Sequence, residues 1–422
     1  MTSDSTIVPL RQPDEITDPL SAVLRSGARR LLAQAVEAEA EAFLAMMTGA
    51  RLPDGRERVV RHGYGPERVI QTGIGPVEVR RVKLRDRGAA GSGERIRFTS
   101  AILPRWARRT PSLDALLPIL YLRGVSAGDF QEALAALLGR GAPNLSPSVI
   151  ARLKGEWDAE YARWQRRDLS ARRYVYIWAD GVYLQARMEP QAECMLVLIG
   201  ATPEGRKELV GFQVGVRESA QSWRELLVDL KARGLAIAPE LATGDGALGF
   251  WKALEQVFPT TRQQRCTVHK TTNVLDKLPK SVQPAAKRDL REIWAAPDRA
   301  AAQTAIAVFA EKYATKYEKA VACLVKDHDA LLTFYDFPAE HWDHLRTANP
   351  IESVFATVRH RTVRTKGALS QDSARLMVFK LVMAAAKTWR RLKGENQLPK
   401  VIEGATFRNG VEVTNTPEQT AA

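Results

Sequence analysis

Apolar positions recur at helical spacing near the start of the chain. Leu20, Val23, Leu24, Leu31, Leu32, Val36 and Phe43 form one stripe, which predicts a helix over residues 19–48 after a polar, loose stretch at 1–18. Between 51 and 100 the pattern changes. "ERVVRHGYGPERVIQTGIGPVEVRRVKLRDRG" alternates in short runs broken by Gly and Pro, which predicts a small antiparallel sheet, and "GAAGSGER" reads as a flexible loop. Residues 111–167 return to helical spacing in three pieces. They are "PSLDALLPILYLRG", then "VSAGDFQEALAALLGRG" with Ser126 and Asp129 at capping-box spacing and Gly139 at its end, then "NLSPSVIARLKGEWDAEYARWQRRDL" with Ser146 as N-cap and Pro147 in the first helical position. From 172 the pattern is mixed. Strands are predicted at 174–187, 193–201 and 207–216, with "TPEG" turning between the last two. The amphipathic helix "ESAQSWRELLVDLKARGL" follows, then a strand, Gly-Asp-Gly turn and helix in "PELATGDGALGFWKALEQVF", then a strand in "TTRQQRCTVHK". Residues 275–345 carry only helical signals. A helix beginning at Asn349 and a long one near 371–393 complete the pattern, and 396–422 reads as a tail.

These elements divide the chain into an N-terminal helical region (1–50), a small basic β region (51–110), a helical region (111–170), an α/β core in two parts (171–274 and 346–395) and an all-α insertion between them (275–345). Three short helices joined by tight turns at 111–170 match a helix-turn-helix. Its third helix puts Ile150, Leu153, Trp157, Tyr161 and Trp164 on one face, with Arg152, Lys154, Arg163, Arg166 and Arg167 elsewhere around it. Two readings stand for that helix: one that enters a DNA major groove, and a long bundle helix with a solvated basic side.

Charge narrows the function classes. The 422 residues carry a formal net charge of +14. Arginine far outnumbers lysine before residue 175, with Arg80 and Arg81 among a dense run in the β region. The balance favours a polyanionic partner, double-stranded DNA first. Three cysteines, Cys194, Cys266 and Cys323, are too few and odd in number for a disulfide framework, which points to a reducing compartment. No apolar run long enough to span a bilayer is present, so no membrane association is expected, and a cytoplasmic, nucleoid-associated location is.

Candidate chemistry starts from Asp180. It interrupts the β-forming run "YVYIWADGVYLQAR", where a buried carboxylate is costly unless paired or metal-bound; a strand-end Asp-Gly turn is the plain alternative. Asp245 lies just past a later strand, between two glycines, and strand ends in α/β sheets are where sites are built. Glu352, in "TANPIESVFATVRHRTVRTKG", is the third candidate. Its alternative is a capping box, with Asn349 as N-cap, Pro350 at the first helical position and Glu352 two residues on. The order of elements is ribonuclease-H-like: three antiparallel strands, a helix, a strand ending in Asp, another strand, and a late helix bearing Glu. In that order Asp180 and Asp245 stand on adjacent central strands and Glu352 on a helix laid across them. Three carboxylates converging there suit two Mg²⁺ ions, with Mn²⁺ able to substitute, that activate an attacking oxygen and stabilise a leaving oxygen at phosphorus.

At these residues the chain resembles the Mutator-type DDE transposases of bacterial insertion sequences. "ADGVY" is similar to that family's first-Asp motif, "TGDGALGFWKALEQVFP" to its second-Asp motif, "RQQRCTVHKTTNVLDKLP" to the segment that follows and "TANPIESVFATVRHRT" to its catalytic-Glu helix. "RHGYGPERVIQTGIGPVEVRRVKLRDR" and "LYLRGVSAGDFQEALAALLG" are similar to its N-terminal DNA-binding part, so that the likeness covers roughly residues 55–395. One departure is that the Glu motif reads "TAN" where two threonines often precede the Asn. The resemblance implies Asp180, Asp245 and Glu352 as catalytic metal ligands, cleavage of element ends followed by strand transfer into target DNA, Mg²⁺, and a homodimer or higher homo-oligomer.

Basic and soft side chains remain beside these acids. Cys266 and His269 form a C-x-x-H pair, half of a zinc site whose other ligands the sequence does not disclose; a buried Cys with a strand-end His is the plain reading. The family likeness implies instead that the pair, with Arg265, positions a DNA strand. Arg359, Arg361, Arg364 and Lys366 follow Glu352 and either line phosphates or form a solvated helix face; Arg152, Lys154, Arg80 and Arg81 are the candidates for DNA contact in the N-terminal half. The rival readings are another ribonuclease-H-like nuclease, such as a resolvase or integrase, and a non-enzymatic helix-turn-helix regulator.

Overall fold

A computed structural model describes residues 18–88, 95–122, 134–135, 147–184, 192–215, 217–246, 249–364 and 370–413. The chain divides into two compact units, Met1–Leu153 and Lys154–Ala422.

In the first unit, helix α1 (Pro19–Met46) starts where the Asp18 carboxylate accepts the N–H of Leu20. Its C-terminal half supplies Val36 and Ala40 to a small core with Ile70, Val77, Val79, Val82 and Leu103. The predicted apolar stripe is buried only there: Leu20, Val23, Leu24 and Leu31 are exposed. Strands β1 (Val59–Tyr64), β2 (Arg68–Thr72), β3 (Gly75–Val79) and β4 (Val82–Asp86) follow. They form two separate two-stranded antiparallel ladders, β1 with β4 and β2 with β3, rather than one sheet. Gly75 takes the left-handed backbone (φ 97°) that closes the β2–β3 turn. Helix α2 spans Pro111–Leu122. The second helix of the expected helix-turn-helix lies outside the described residues apart from Leu134 and Ala135, which are helical.

Helix α3 (Pro147–Gln165) contains the unit boundary. Its second half has a packing role in the second unit. Tyr161 meets the rings of Phe212 and Phe379 edge-on, and Arg167, just past the helix, stacks on Trp164 and donates to the carbonyls of Leu209 and Val210. Of the two readings of this helix, the packed one describes this half.

The second unit is built on a five-stranded mixed sheet of β5 (Tyr176–Leu184), β6 (Glu193–Ala201), β7 (Lys207–Gly215), β8 (Leu241–Gly244) and β9 (Arg262–Arg265), in the order β7-β6-β5-β8-β9. β5, β6 and β7 pair antiparallel, while β5–β8 and β8–β9 are parallel. The apolar runs read as strands because both faces are covered. On one face Ile177, Ala179, Leu196 and Leu198 pack with Trp223, Leu226, Leu227 and Leu230 of α4 (Ala220–Ala232) and with Phe250 and Leu254 of α5 (Phe250–Val257). On the other, the Tyr176 hydroxyl bonds His341 Nδ1 at 2.9 Å and the Trp178 indole N–H donates to the His344 carbonyl at 2.9 Å.

Every element from Thr267 to Leu345 is helical, led by α6 (Thr267–Leu275), α7 (Gln283–Trp294) and α8 (Arg299–Val325). This corrects the strand expected through His269. The strand stops at Arg265, and the Thr267 N–H and hydroxyl both turn to the Arg346 carbonyl. Helices α9 (Asn349–Arg364) and α10 (Gln371–Ala386) follow, and the residues after them, read as a tail in the sequence, form a short helix at Leu398–Ile402 and a hairpin of Phe407–Arg408 with Val411–Glu412, with Leu398, Val401 and Phe407 buried. Among the described residues no helix is long and apolar enough to cross a membrane.

Candidate active site

The parallel register sets one row of residues level. β5 pairs with β8 as far as Ala179↔Gly244, and β8 with β9 as far as Gly244↔Arg265. The next residues are Asp180, Asp245 and Cys266. They stand side by side where three neighbouring parallel strands, about 4.8 Å apart, reach the end of their common ladder. In mixed α/β sheets such carboxyl ends leave backbone and side chains free to build a site.

Asp180 points to the face opposite Ile177 and Ala179, and only 8% of it is exposed. It accepts the N–H of Gly181 at 2.9 Å. Burial pushes its carboxyl up to about 7, against the pull of the His269 charge. Asp245 is half-buried. Its carbonyl accepts the Trp251 indole N–H at 2.6 Å, and its carboxylate lies 3.4 Å from the Asn273 amide nitrogen.

Glu352 is half-buried on α9. The Ala348 carbonyl accepts its N–H at 3.1 Å, so the helix starts one residue earlier than the capping box requires and Asn349 is already inside it. Ala348, whose carbonyl opens the helix, has its own N–H taken by Cys266 Sγ at 3.2 Å. The capping-box alternative for Glu352 is therefore not the arrangement found. Glu352 Oε1 turns to the C-x-x-H pair, 3.9 Å from His269 Nε2 and 4.0 Å from Cys266 Sγ. Hydrogen bonding with Cys266 raises His269 to about 9, opposed by burial and helped by the nearby charges of Asp180 and Asp245. His269 is thus a positive charge among the acids at neutral pH. The carboxylates of Asp180, Asp245 and Glu352 are not gathered into one tight group; the group with ligand atoms all within 4.8 Å of one another, among the described residues, is Cys266, His269 and Glu352.

Arg265 ends β9, paired with Gly244. Its guanidinium sits 3.8 Å over the Trp251 ring and 4.0 Å from Asp327, and burial lowers its pKa. Lys270 Nζ bonds the same Asp327 at 2.5 Å and the Cys323 carbonyl at 2.9 Å. Asp327 follows the end of α8, so these contacts fasten that long helix beside the row.

Arg359 is exposed on α9, and the side chains of Arg361, Arg364 and Lys366 lie outside the described residues. Lys154 and Arg152 are on α3. Arg80, in the first unit, is paired with Glu67 at 2.8 Å, and the Arg81 carbonyl accepts the Gly65 N–H.

The sequence reading missed Glu218. It precedes the N-cap Ser219 of α4 and lies against Gly181, where a Cβ would meet its carboxylate at 2.0 Å. Burial raises its pKa, and Asp245 and His269 are close enough to act on it. Its signal was an acid directly before a capped helix following a strand. Asn273 and Asp327 carried no local signal; their partners are 28 and 57 residues away.

A sequence model described as the Mutator family of transposases matches residues 3–391 of the chain. The chain is 50% identical over 298 residues to the transposase for insertion sequence element IS6120 of Mycolicibacterium smegmatis, covering 71% of this chain and 92% of that protein. It is 51% identical over 302 residues to the transposase for insertion sequence element IST2 of Acidithiobacillus ferrooxidans, covering 69% of this chain and all of that one. A more distant relative, the transposase for ISRM5 of Rhizobium meliloti, is 27% identical over 371 residues.

Proposed function

The chain belongs to the Mutator family of transposases, and on that footing we propose that it cleaves DNA at the ends of an insertion sequence and joins the freed 3′-hydroxyl to target DNA, using Asp180, Asp245 and Glu352 on a ribonuclease-H-like core. The observation that carries this reading is the parallel register that sets Asp180 and Asp245 level, each just past the last rung, Ala179↔Gly244, of β5 and β8. The strand order β7-β6-β5-β8-β9, antiparallel on one side and parallel on the other, supports the ribonuclease-H-like assignment.

The donor set fits Mg²⁺. Asp180 is a buried carboxylate whose charge is held off by desolvation, the state that a bound cation would relieve. Carboxylate oxygens are the ligands that hard divalent ions prefer. Asp180 and Asp245 would hold the ions, with Glu352 completing the second position. When bound, the pair supplies Lewis acidity to the attacking and leaving oxygens at phosphorus.

The protein's own groups do the positioning. β5 and β8 bring the two aspartates together just past the last rung of their ladder, and Trp251 and Asn273 orient Asp245. The His269 charge offsets the acids, and Arg265, held over Trp251 beside Asp245, adds positive charge where a phosphate approaches. Water attacks the scissile phosphorus and the bond to the 3′-oxygen breaks. The released 3′-hydroxyl then attacks a target phosphorus and displaces its 3′-oxygen in turn. No covalent enzyme intermediate is needed, so catalysis is positioning plus charge stabilisation. The Arg-rich first unit would hold double-stranded DNA through its phosphates, in a homodimer or larger homo-oligomer.

The test is strand cleavage of a duplex carrying the element's ends, with Mg²⁺, by the full chain. Asp180→Asn and Asp245→Asn should each abolish cleavage and leave duplex binding in place. Cleavage by either variant at the parental rate would refute the assignment.

A further inference from the structure

The C-x-x-H pair seen in the sequence lacked further ligands, and the fold supplies one. Cys266 ends the row and caps α6, and His269 follows three residues on, which brings both side chains to one side of the first helical turn. Glu352 of α9 faces them. The three ligand atoms lie within 4.8 Å of one another, with Cys266 Sγ 4.0 Å and His269 Nε2 3.9 Å from the same carboxylate oxygen. Cys266 is 1% exposed, whereas His269 and Glu352 are partly open to solvent. The cluster is therefore closed at its sulfur end and open on the opposite side.

We propose that Cys266, His269 and Glu352 form a binding site for a single borderline divalent cation of the zinc type, distinct in chemistry from the all-oxygen aspartate row. Three arguments carry it. First, the spacing is close to what the ion requires. Tetrahedral zinc with Zn–S of about 2.3 Å and Zn–N or Zn–O of about 2.0–2.2 Å places its ligand atoms about 3.3–3.7 Å apart. The side-chain pairs at 3.9 and 4.0 Å reach that by small rotations. Second, one sulfur, one imidazole nitrogen and one carboxylate oxygen are donors that select Zn²⁺ or Co²⁺ over Mg²⁺. Third, His269 Nδ1 is buried without a hydrogen-bond partner. No Nδ1 hydrogen bond is therefore lost when the ring turns toward the ion. Cys266 gives up its thiol proton and His269 its imidazolium proton to solvent on ligation, and the open side leaves a fourth position for water or a phosphate oxygen.

The consequence for the reaction rests on the reading of Glu352 above. A zinc ion here engages the carboxylate that the aspartate row needs as its third member, so Zn²⁺ and the Mg²⁺-dependent reaction compete for one side chain. Zinc is then an inhibitor that more Mg²⁺ partly reverses.

The site is tested without reference to activity by titrating the full chain with Co²⁺ in Mg²⁺-containing buffer. The expected result is one Co²⁺ per chain, with a thiolate-to-cobalt charge-transfer band and the intense visible bands of a four-coordinate ion. The band should vanish in Cys266→Ser and persist in Asp180→Asn, Cys194→Ser and Cys323→Ser. In His269→Ala, binding should weaken by more than the roughly 10–100-fold that losing an outer-shell partner costs. His269 is partly exposed, so that variant keeps the test decisive should Cys266→Ser fail to fold. Absence of the band in the parent chain, or its survival in Cys266→Ser, overturns the proposal and leaves the assignment of Asp180 and Asp245 untouched. Conversely, a normal band in a chain whose Asp180→Asn variant still cleaves DNA would sustain the site while removing the reading of the reaction.

Discussion

Asp180 and Asp245 each follow the last rung, Ala179↔Gly244, of the parallel ladder between β5 and β8. They are 65 positions apart in sequence and level in space. The antiparallel partner of Asp180 is Val197 of β6, so the row is open on the aspartate side only toward Asp245 and Cys266. From this relationship the following outcomes are expected.

Asp180 should make the metal-free chain more stable at low pH than at high pH. Its carboxyl titrates near 7 when folded and near 3.8 when unfolded. Between those values the folded state binds more protons, so stability falls as pH rises from about 4 to about 7 and levels off above. Asp180→Asn removes that penalty. In chelator, it should raise stability by on the order of 2–4 kcal/mol at pH 8 and by almost nothing at pH 4. Thermal melts of both proteins at the two pH values measure this, and equal shifts at both would contradict it.

Glu352→Gln distinguishes a ligand from a helix-capping residue. Since Glu352 Oε1 turns to Cys266 and His269 rather than back to the start of α9, the substitution should change stability by no more than about 0.5 kcal/mol while removing cleavage. Asn349→Ala should likewise be nearly neutral for stability, because Asn349 is already within the helix. A loss of about 1 kcal/mol there, the usual cost of a lost cap, would restore the capping box.

The Lys270–Asp327 pair should be worth more than a surface ion pair. Lys270 is 5% exposed and bonds both Asp327 and the Cys323 carbonyl. Lys270→Ala leaves Asp327 with Arg265 at 4.0 Å, and removing one partner of a buried pair costs about 3–5 kcal/mol. Denaturant unfolding should show a loss toward the lower end of that range, with faster amide exchange at the end of α8. A change below about 0.5 kcal/mol would mean the pair is solvent-screened.

DNA binding by the full chain should fall steeply with salt, and the double substitution Arg80→Ala, Arg81→Ala should weaken binding evenly across sequences. If both reach phosphates, the slope of log affinity against log salt should shrink by about 2. An unchanged slope would place the DNA elsewhere on the chain.

Much of this site was legible in the sequence, and the part that was not has a physical cause. The run from Tyr176 to Leu184 and the apolar stretch from Cys194 to Ala201 in β6 announced buried strands, and the glycines around Asp245 announced a strand end. The register could not be read, because β5 and β8 pair across the whole of β6, β7 and α4. "TTRQQRCTVHK" read as a strand through His269 because Thr and Val favour strands locally. Tertiary contacts override that: the Thr267 N–H and hydroxyl bond the Arg346 carbonyl, and Lys270 turns inward to Asp327. The capping box of Glu352 was a sound local inference, but α9 begins one residue earlier, with the Ala348 carbonyl taking the Glu352 N–H. The stripe on α1 was read in full, yet among the described residues Leu20, Val23, Leu24 and Leu31 are exposed, while Val36 and Ala40 are buried in the core and Leu32 packs against it.

The central claim is that Asp180 and Asp245 hold divalent metal together, and anomalous diffraction from crystals of the full chain with element-end DNA and Mn²⁺ tests it most directly. The account predicts Mn²⁺ peaks in contact with both aspartate carboxylates, with Glu352 on the second ion. Ordered Mn²⁺ elsewhere on the chain, with Asp180 and Asp245 both unligated, would contradict it.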